Sequence, residues 1–175
     1  RKGLVVFQFS LSIALIAGTI IVYFQMNHLL DKDLGFDKEQ MLVLDYNYDQ
    51  AVNEKSEILK AELETNPSIL SLAFSRSVPG SYFPHAGTQI QTAEGEMAEM
   101  GQPIFQVGMD FITHFDLDLI AGRTYSREHP TDSSSALIVN EAAARQYGYS
   151  NPADIVGKKF SQWGRAGEVI GVVKD

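Results

Sequence analysis

The chain has 175 residues, no cysteine and a formal net charge of −8 at pH 7. Its 45% hydrophobic and 21% charged residues exclude disorder over most of the chain, and its acidic balance argues against nucleic-acid binding, which needs a basic surface. The absence of cysteine excludes a disulfide scaffold, a thiolate zinc site and a thiol nucleophile. Because the chain begins at Arg1 and ends directly after an apolar strand, we interpret it as a piece of a longer protein.

The first predicted element is a transmembrane helix. The stretch 3–24 contains no charged residue, and at about 1.5 Å per residue it can cross a hydrocarbon core of about 30 Å. A buried helix of a soluble protein would carry a polar stripe, which this stretch lacks. A cleaved signal peptide is the stronger alternative, because Arg1 and Lys2 resemble its basic region, but its apolar part should end within about 15 residues. We therefore assign residues 1–30 to a retained membrane helix and the start of a stalk.

The charges on the two sides of this helix predict its orientation. Two basic residues precede it, and the acidic residues Asp31, Asp33 and Asp37 follow. The positive-inside rule places the amino terminus in the cytoplasm and the chain from about residue 30 onward in the periplasm. Gly35 is expected to end the helical stalk.

A strand–helix–strand unit is predicted next. Residues 41–46 form a short apolar strand, residues 53–65 have an apolar helical stripe with Asn53 as the amino-terminal cap, and residues 69–75 alternate as a strand does. Two strands joined by a helix usually lie parallel.

The remainder of the chain predicts a mixture of strands and short helices, so residues 31–175 read as an α+β domain. The elements in order are a hairpin over 88–107 turning at 94–96, a helix over 109–115, a segment over 117–123 that closes a turn, a polar loop over 131–135, a strand over 136–139, a helix over 141–148, a helical turn over 151–155, and a second hairpin of 158–162 and 168–173 around 164–167.

The sequence contains no recognisable catalytic or metal-binding motif. No histidine has a second histidine at ligand spacing, and His114, Asp116 and Asp118 would share a face only if extended, which we interpret as a polar surface. Neither a nucleophile elbow nor a phosphate-binding loop is present. We therefore predict no catalytic, metal-binding or cofactor-binding residue, and the substrate-binding residues stay unknown.

Three further groups of residues are expected to have structural roles. The acidic residues Glu94, Glu96 and Glu99 are expected to lie in a solvated turn. The glycines Gly164, Gly167 and Gly171 are expected to lie in a hairpin, where they supply positive φ. The aromatic residues Tyr147, Tyr149 and Trp163 are expected to pack in the core or at an interface, and a ligand groove is the alternative.

Several of these residues together resemble a known family. Arg1–Phe9 and Leu34–Asp37 resemble a transmembrane segment of MacB/FtsX-like ABC transporter permeases of the Bacteroidetes type. The later sequence is similar to the MacB-like periplasmic core domain, in the pieces Phe105–Val107, Asp110–Phe111, Leu119–Arg123, Ala136–Ala143, Ile155–Lys158 and Val169–Asp175.

The resemblance implies a permease subunit of the cell inner membrane that is not itself an enzyme. Its periplasmic domain would comprise a porter-like βαβ lobe over about 41–86 and an inserted mixed α/β lobe over about 88–173, both incomplete here. It would dimerise, work with a cytoplasmic ATP-binding subunit, and engage a periplasmic adaptor or an outer-membrane component. ATP hydrolysis in that separate subunit would drive export, efflux or release of substrates by mechanotransmission.

Two other classes of function stay open. The chain could be the outer domain of a membrane-anchored sensor that binds a ligand or an envelope signal, or a membrane-anchored enzyme, for which no recognisable site is present. A permease should have three further apolar segments after residue 175, whereas a sensor should have one, followed by a signalling domain.

Overall fold

The computed structural model describes residues 1–30, 41–47, 49–79 and 81–175. The chain divides into two compact units, Arg1–Asp37 and Lys38–Asp175. Helix α1 (Lys2–Leu30) runs through the predicted membrane segment of the first unit. Its Thr19 hydroxyl donates a hydrogen bond to the Leu15 carbonyl at 2.8 Å, so this polar side chain is satisfied by its own helix. Gly35, the predicted end of the helix, lies outside the described residues.

The second unit contains short helices and one mixed sheet, which confirms the predicted α+β class after an apolar helix. Strand order is β2-β1-β5-β6-β3, and β4 also pairs with β6. The elements are α2 (Gln50–Glu54), α3 (Ser56–Leu63), β1 (His85–Gln91), β2 (Met97–Pro103), α4 (Phe111–His114), β3 (Leu119–Gly122), α5 (Asp132–Ser135), β4 (Ala136–Asn140), α6 (Glu141–Gln146), a 3-10 turn (Pro152–Ile155), β5 (Lys159–Gln162) and β6 (Arg165–Val173).

Strand β6 lies at the centre of the sheet. It pairs in parallel with β4, and antiparallel with β5 near its start and with β3 near its end. Both predicted hairpins are confirmed: β1 pairs antiparallel with β2, and β5 with β6. The first hairpin turns at the predicted residues, where Gly95 has a φ of 95° and the Thr92 N–H donates to the Glu96 carbonyl at 2.7 Å.

Of the three glycines predicted to supply positive φ in the second hairpin, only Gly164 does so. The turn of this hairpin is only Trp163 and Gly164, with φ values of 50° and 77°, so positive φ is confined to the tight turn. Gly167 and Gly171 are needed for close approach instead. A Cβ on Gly167 would lie 1.8 Å from the Ser135 carbonyl oxygen, and one on Gly171 would lie 2.5 Å from a backbone carbonyl oxygen of the segment after β3.

The hydrophobic core lies between this sheet and helix α6. It includes Tyr147 and Tyr149, which are 1% and 4% exposed. The Tyr147 hydroxyl donates to the Thr88 carbonyl at 2.6 Å, and burial raises the pKa of Tyr147 to about 12. Both tyrosines are therefore packing residues, while Trp163 is 55% exposed, so the aromatic groove considered above is not formed. The buried cluster comprises Ile90, Val139, Ala144, Tyr147, Tyr149, Ile155, Phe160, Val169 and Val172.

The predicted strands over 41–46 and 69–75 are wrong. Among the described residues, the one β-type pairing of these segments is an isolated antiparallel bridge between Ser75 and Val107, and Val107 itself lies outside the strands. Alternation of apolar side chains favours an extended conformation with one buried face. A strand forms only where the backbone of another segment supplies its hydrogen bonds. The predicted parallel pairing of the two segments is likewise absent from the described part of the chain.

The helix predicted over 53–65 is two helices, α2 and α3, separated at Lys55. The amino-terminal cap is Asp49 rather than Asn53, because the Asp49 carboxylate accepts hydrogen bonds from the N–H groups of Ala51 and Val52 at 2.8 and 3.2 Å. An aspartate accepting both N–H groups begins the helix one turn earlier than predicted.

Elsewhere the element boundaries differ modestly. The helix predicted over 109–115 is the shorter α4, and the polar loop predicted over 131–135 ends in the one-turn helix α5. The latter change has a clear cause, since Asp132 at the start of α5 is buried in an ion pair that local sequence does not reveal.

The glycine contacts make a direct prediction about stability. We expect Gly167→Ala to lower the free energy of unfolding by about 2 kcal/mol or more, because the new methyl group overlaps a backbone carbonyl that cannot turn away. Gly101→Ala is the matched control, since a Cβ there meets nothing within 4 Å, and its effect should stay within about 0.5 kcal/mol. Urea unfolding of the full chain in detergent micelles, followed by near-ultraviolet circular dichroism of the buried tyrosines, measures both. Equal effects of the two substitutions would contradict the close-approach argument.

Candidate functional site

The apolar surface of α1 is the first candidate functional feature. Within the described part of the chain, α1 is the one helix long and apolar enough to cross a membrane, over Lys2–Leu29. Every residue from 3 to 24 is exposed in the structure. Exposed apolar area costs about 25 cal/mol per Å² in water, so this helix is suited to an apolar surrounding such as lipid.

A second feature is an ion-pair cluster, called here the Arg127 cluster, formed by Glu57, Lys60, Asp110 and Arg127. Arg127 donates two parallel hydrogen bonds to the Asp110 carboxylate, each 2.8 Å long, and three to the Glu57 carboxylate, of which the shortest is 2.9 Å. The Lys60 ammonium group contacts the Asp110 Oδ2 atom, which also accepts one of the hydrogen bonds from Arg127. These contacts tie helix α3 to Asp110, which directly precedes α4, and to Arg127, which lies in the loop after β3.

The charges of this cluster stabilise one another. The hydrogen bonds from Arg127, and after them the contact with Lys60, hold the pKa of Asp110 well below its usual range, although partial burial opposes this. The hydrogen bonds to Asp110 and Glu57 raise the pKa of Arg127 in turn. A fork of two parallel hydrogen bonds also fixes the relative orientation of the two groups.

Backbone hydrogen bonds reinforce the same connection. The Arg76 N–H donates to the Gln106 carbonyl at 2.9 Å, and the Gly108 N–H donates to the Phe74 carbonyl at 2.7 Å, on either side of the Ser75–Val107 bridge. The segment that follows α3 is thus joined to the segment that follows β2 by a short antiparallel ladder.

A row of aromatic rings lies along this connection. The ring centroids of Phe83 and Phe105 are 5.0 Å apart, those of Phe105 and Phe111 4.8 Å, and those of Phe111 and Phe115 4.4 Å. Such pairs add to the stabilisation that burial alone provides. Ion pairs and backbone hydrogen bonds therefore join α3 and the segment after it to the segments that follow β2 and β3, and the aromatic contacts join α4 to the segment after β2.

An ion pair between the partly exposed Arg123 and the buried Asp132 fastens the loop between β3 and β4. Asp132 is 4% exposed, and its carboxylate accepts two hydrogen bonds from the Arg123 guanidinium at 2.6 and 2.8 Å and one from the Ser126 N–H at 3.0 Å. The hydrogen bonds from Arg123 lower the pKa of Asp132 and, in return, raise that of Arg123. Sequence analysis missed this pair, since nothing local distinguishes Asp132 from a solvated loop aspartate.

The polar residues singled out from the sequence are not brought together. His114 ends α4 with its Nδ1 atom 2.7 Å from the Ser71 hydroxyl, while Asp116 adopts a positive φ of 49° and Asp118 pairs with Lys174. The three therefore do not form the extended face considered above. Glu94, Glu96 and Glu99 are all exposed at the hairpin, as predicted. No group of three or more potential metal ligands occurs among the described residues.

Comparison with known proteins adds a likeness of fold. No protein-family model and no curated protein matches the chain. The chain is similar to the crystal structure of the periplasmic region of MacB from Actinobacillus actinomycetemcomitans, with 19% identity and a TM-score of 0.49 over 67% of this chain and 50% of that one. It is also similar to the extracellular domain of the noncanonic ABC-type transporter YknZ from Gram-positive bacteria, with 21% identity and a TM-score of 0.35 over 65% of this chain and 62% of that one.

The chain thus spans half the length of the first of these structures and under two thirds of the second. Both the identities and the TM-scores are too low to assign the chain to a family.

The ion pair between Arg123 and Asp132 predicts a pH-dependent stability. Asp132→Asn should lower the free energy of unfolding at neutral pH by about 2 kcal/mol, because a charged partner loses its hydrogen-bonded carboxylate. Since the folded pKa of Asp132 lies below the ordinary 3.8, this stabilisation is present above that pH and is lost as the pH falls through the lower folded value. The variant should consequently lose less stability than the wild type below pH 4.

The control is Asp118→Asn, which breaks an exposed ion pair with Lys174 and should change stability by less than about 0.5 kcal/mol. Urea unfolding across the acidic range measures all three proteins. An Asp132→Asn curve parallel to that of the wild type below pH 4 would show that the pair does not contribute as described.

Proposed function

We propose that this chain is a fragment of the permease subunit of an ABC transporter, of the MacB/FtsX-like class and Bacteroidetes type. In this proposal α1 crosses the cell inner membrane with its amino terminus in the cytoplasm, and the α+β domain lies in the periplasm. The domain passes on motion driven by ATP hydrolysis in a separate cytoplasmic subunit, and so promotes export or release of substrates. A second permease copy and a periplasmic adaptor or outer-membrane component complete the proposed assembly.

The observation that carries the proposal is the helix α1 with its flanks. A helix with a fully exposed apolar stretch follows two basic residues and precedes a strongly acidic chain. Without Arg1 and Lys2 the formal charge falls from −8 to −10, so the domain lacks the basic character that favours the cytoplasmic face of a membrane. The continuous helix to Leu30 supports a retained anchor over a short signal-peptide segment.

The family resemblance is supported by where its residues lie in the fold. The pieces Leu119–Arg123, Ala136–Ala143, Ile155–Lys158 and Val169–Asp175 contain β3, β4, the end of the 3-10 turn and most of β6. Within them, the Gly157 N–H donates to the Val169 carbonyl at 2.7 Å, and Asn140 caps α6 by accepting from the Ala143 N–H at 3.1 Å. These pieces form one contiguous part of the sheet, which is what a shared fold requires of them.

Mechanotransmission is supported by the contacts of the Arg127 cluster and its neighbours. A domain passes on a displacement only if its parts move together, and packed interfaces with ion-pair and hydrogen-bond networks do so. Here α3 and the segment after it are tied to the segments that follow β2 and β3 through Arg127 and through the Ser75–Val107 bridge. Force applied to the α3 segment would accordingly reach those segments.

The proposed orientation can be tested because the chain has no cysteine. Single cysteines replacing Lys2 and the exposed Ser150 should react differently with a membrane-impermeant maleimide on spheroplasts. We expect Ser150→Cys to be labelled at once and Lys2→Cys only after the membrane is permeabilised. Labelling of Lys2→Cys on intact spheroplasts would contradict the orientation, and release of the chain into the soluble fraction would show that α1 is a cleaved signal.

Sequencing the parent gene beyond Asp175, with its neighbours, separates the permease from the receptor alternative. Three further apolar segments and an adjacent reading frame with a Gly-x-x-x-x-Gly-Lys-Ser/Thr motif are expected for the permease. A single returning helix leading into a signalling domain would overturn the proposal, and the outer domain would then be a receptor.

A further inference from the structure

A cavity of about 560 Å³ lies between the segment 104–109, β4 and the start of β6. A second cavity of about 410 Å³ adjoins it, and residues Ile104, Phe105, Tyr125, Leu137 and Gln162 line both. These volumes are in the range of pockets that enclose small organic ligands, about 300–1,000 Å³. Of the aromatic residues considered for a ligand groove, Tyr147 lines the smaller cavity, and none lines the larger one.

The wall of the larger cavity is apolar on one side. Ile104, Phe105, Met109 and Leu137 all line it and are only partly buried. Each therefore retains apolar surface that a ligand could cover. Burying that surface favours an apolar body in the ligand by about 25 cal/mol per Å².

Gln162 places a polar atom at the floor shared by the two cavities. Its side chain is 4% exposed, and its Nε2 group donates to the Thr88 hydroxyl at 2.6 Å. The Oε1 atom of the same amide is not one of the fully buried atoms that lack a partner, since among the described residues that class contains only Thr92 Oγ1. Because Gln162 lines both cavities and its amide oxygen is an acceptor, a ligand that donates an N–H or O–H can bind there.

Arg165 gives the larger cavity a positive charge. Its Nε donates to the Ser134 carbonyl at 3.0 Å, which orients the half-buried guanidinium without neutralising it. In contrast to Arg127, which also lines the cavity and binds two carboxylates, Arg165 makes no ion pair within the described part of the chain. Its guanidinium can therefore pair with an anionic group of a ligand.

We propose that this cavity binds a small amphipathic acid that carries a hydrogen-bond donor. Its anionic group pairs with Arg165, its apolar body packs on Ile104, Phe105 and Leu137, and its donor reaches Gln162. The inference goes beyond the proposed permease function and does not depend on it, since the cavity lies within one unit of the fold. A permease or a receptor could contain the same site.

The test uses N-acetylphenylalanine, which combines a carboxylate, an aromatic body and an amide N–H. Isothermal titration calorimetry is carried out on the full chain in lipid nanodiscs, and the heat measured with empty nanodiscs is subtracted. We expect saturable binding at a single site. The neutral N-acetylphenylalanine amide should bind at least about tenfold more weakly, because it lacks the charge, and 3-phenylpropionate should bind several-fold more weakly, because it lacks the N–H.

Variants test whether Arg165 is the cation responsible. Arg165→Gln should weaken binding of the acid by about tenfold or more, and Arg165→Lys should restore part of the loss. The matched control is Arg145→Gln, which removes the same charge from a residue on α6 outside both cavities and should leave the affinity within about twofold. Circular dichroism of each variant establishes that the fold is retained.

Three results would overturn the proposal. One is the absence of saturable heat with the acid at millimolar concentrations. Another is equal affinity for the acid and its neutral amide, and the third is an equal loss of affinity in Arg165→Gln and Arg145→Gln. Each result leaves the orientation and gene tests of the permease proposal unaffected, so the two proposals fail separately.

Discussion

The sheet depends on the close approach between the Ser135 carbonyl and the backbone of Gly167. Parallel pairing of β4 with β6 begins at the next residue of each strand, Ala136 opposite Glu168. No side chain larger than hydrogen fits between these two backbones, so glycine at 167 sets how near β4 can lie. At the other end of β6, Gly171 allows the same approach by Arg123, whose side chain holds Asp132 of α5. The loop between β3 and β4 thus approaches the central strand β6 closely at Gly167 and at Gly171, and the Arg123–Asp132 ion pair holds the loop together between these two points.

The parts of this fold that the sequence predicts are those stabilised by local interactions. Glycine, asparagine and apolar periodicity predict hairpin turns and short helices, and both hairpins and α6 lie where they were predicted. The segments 41–46 and 69–75 show why the same reasoning fails elsewhere. Their apolar patterns suit strands, but pairing depends on a partner distant in sequence, and within the described chain only Ser75 has one.

The candidate sites were beyond the reach of sequence analysis for the same reason. Arg127 and Glu57 are 70 residues apart, Lys60 and Asp110 are 50 apart, and Gln162 lies 74 residues from its partner Thr88. No spacing rule connects groups so far separated, and charged residues at these positions look like ordinary surface. What the sequence does establish is the membrane-length helix and the acidic character of the chain that follows, since both are properties of composition.

The Arg127 cluster and the proposed ligand cavity share residues, and this has a thermodynamic consequence. Glu57 and Arg127 belong to the contacts that join α3 to the loop after β3, and both also line the cavity that contains Arg165. An anion bound at Arg165 would change the electrostatic surroundings of those contacts. Linkage is reciprocal, so any displacement of α3 that alters the contacts must alter the affinity for the anion by the same factor by which the anion alters their equilibrium. The effect of force on ligand affinity and the effect of the ligand on the α3 contacts would then both report the same coupling free energy.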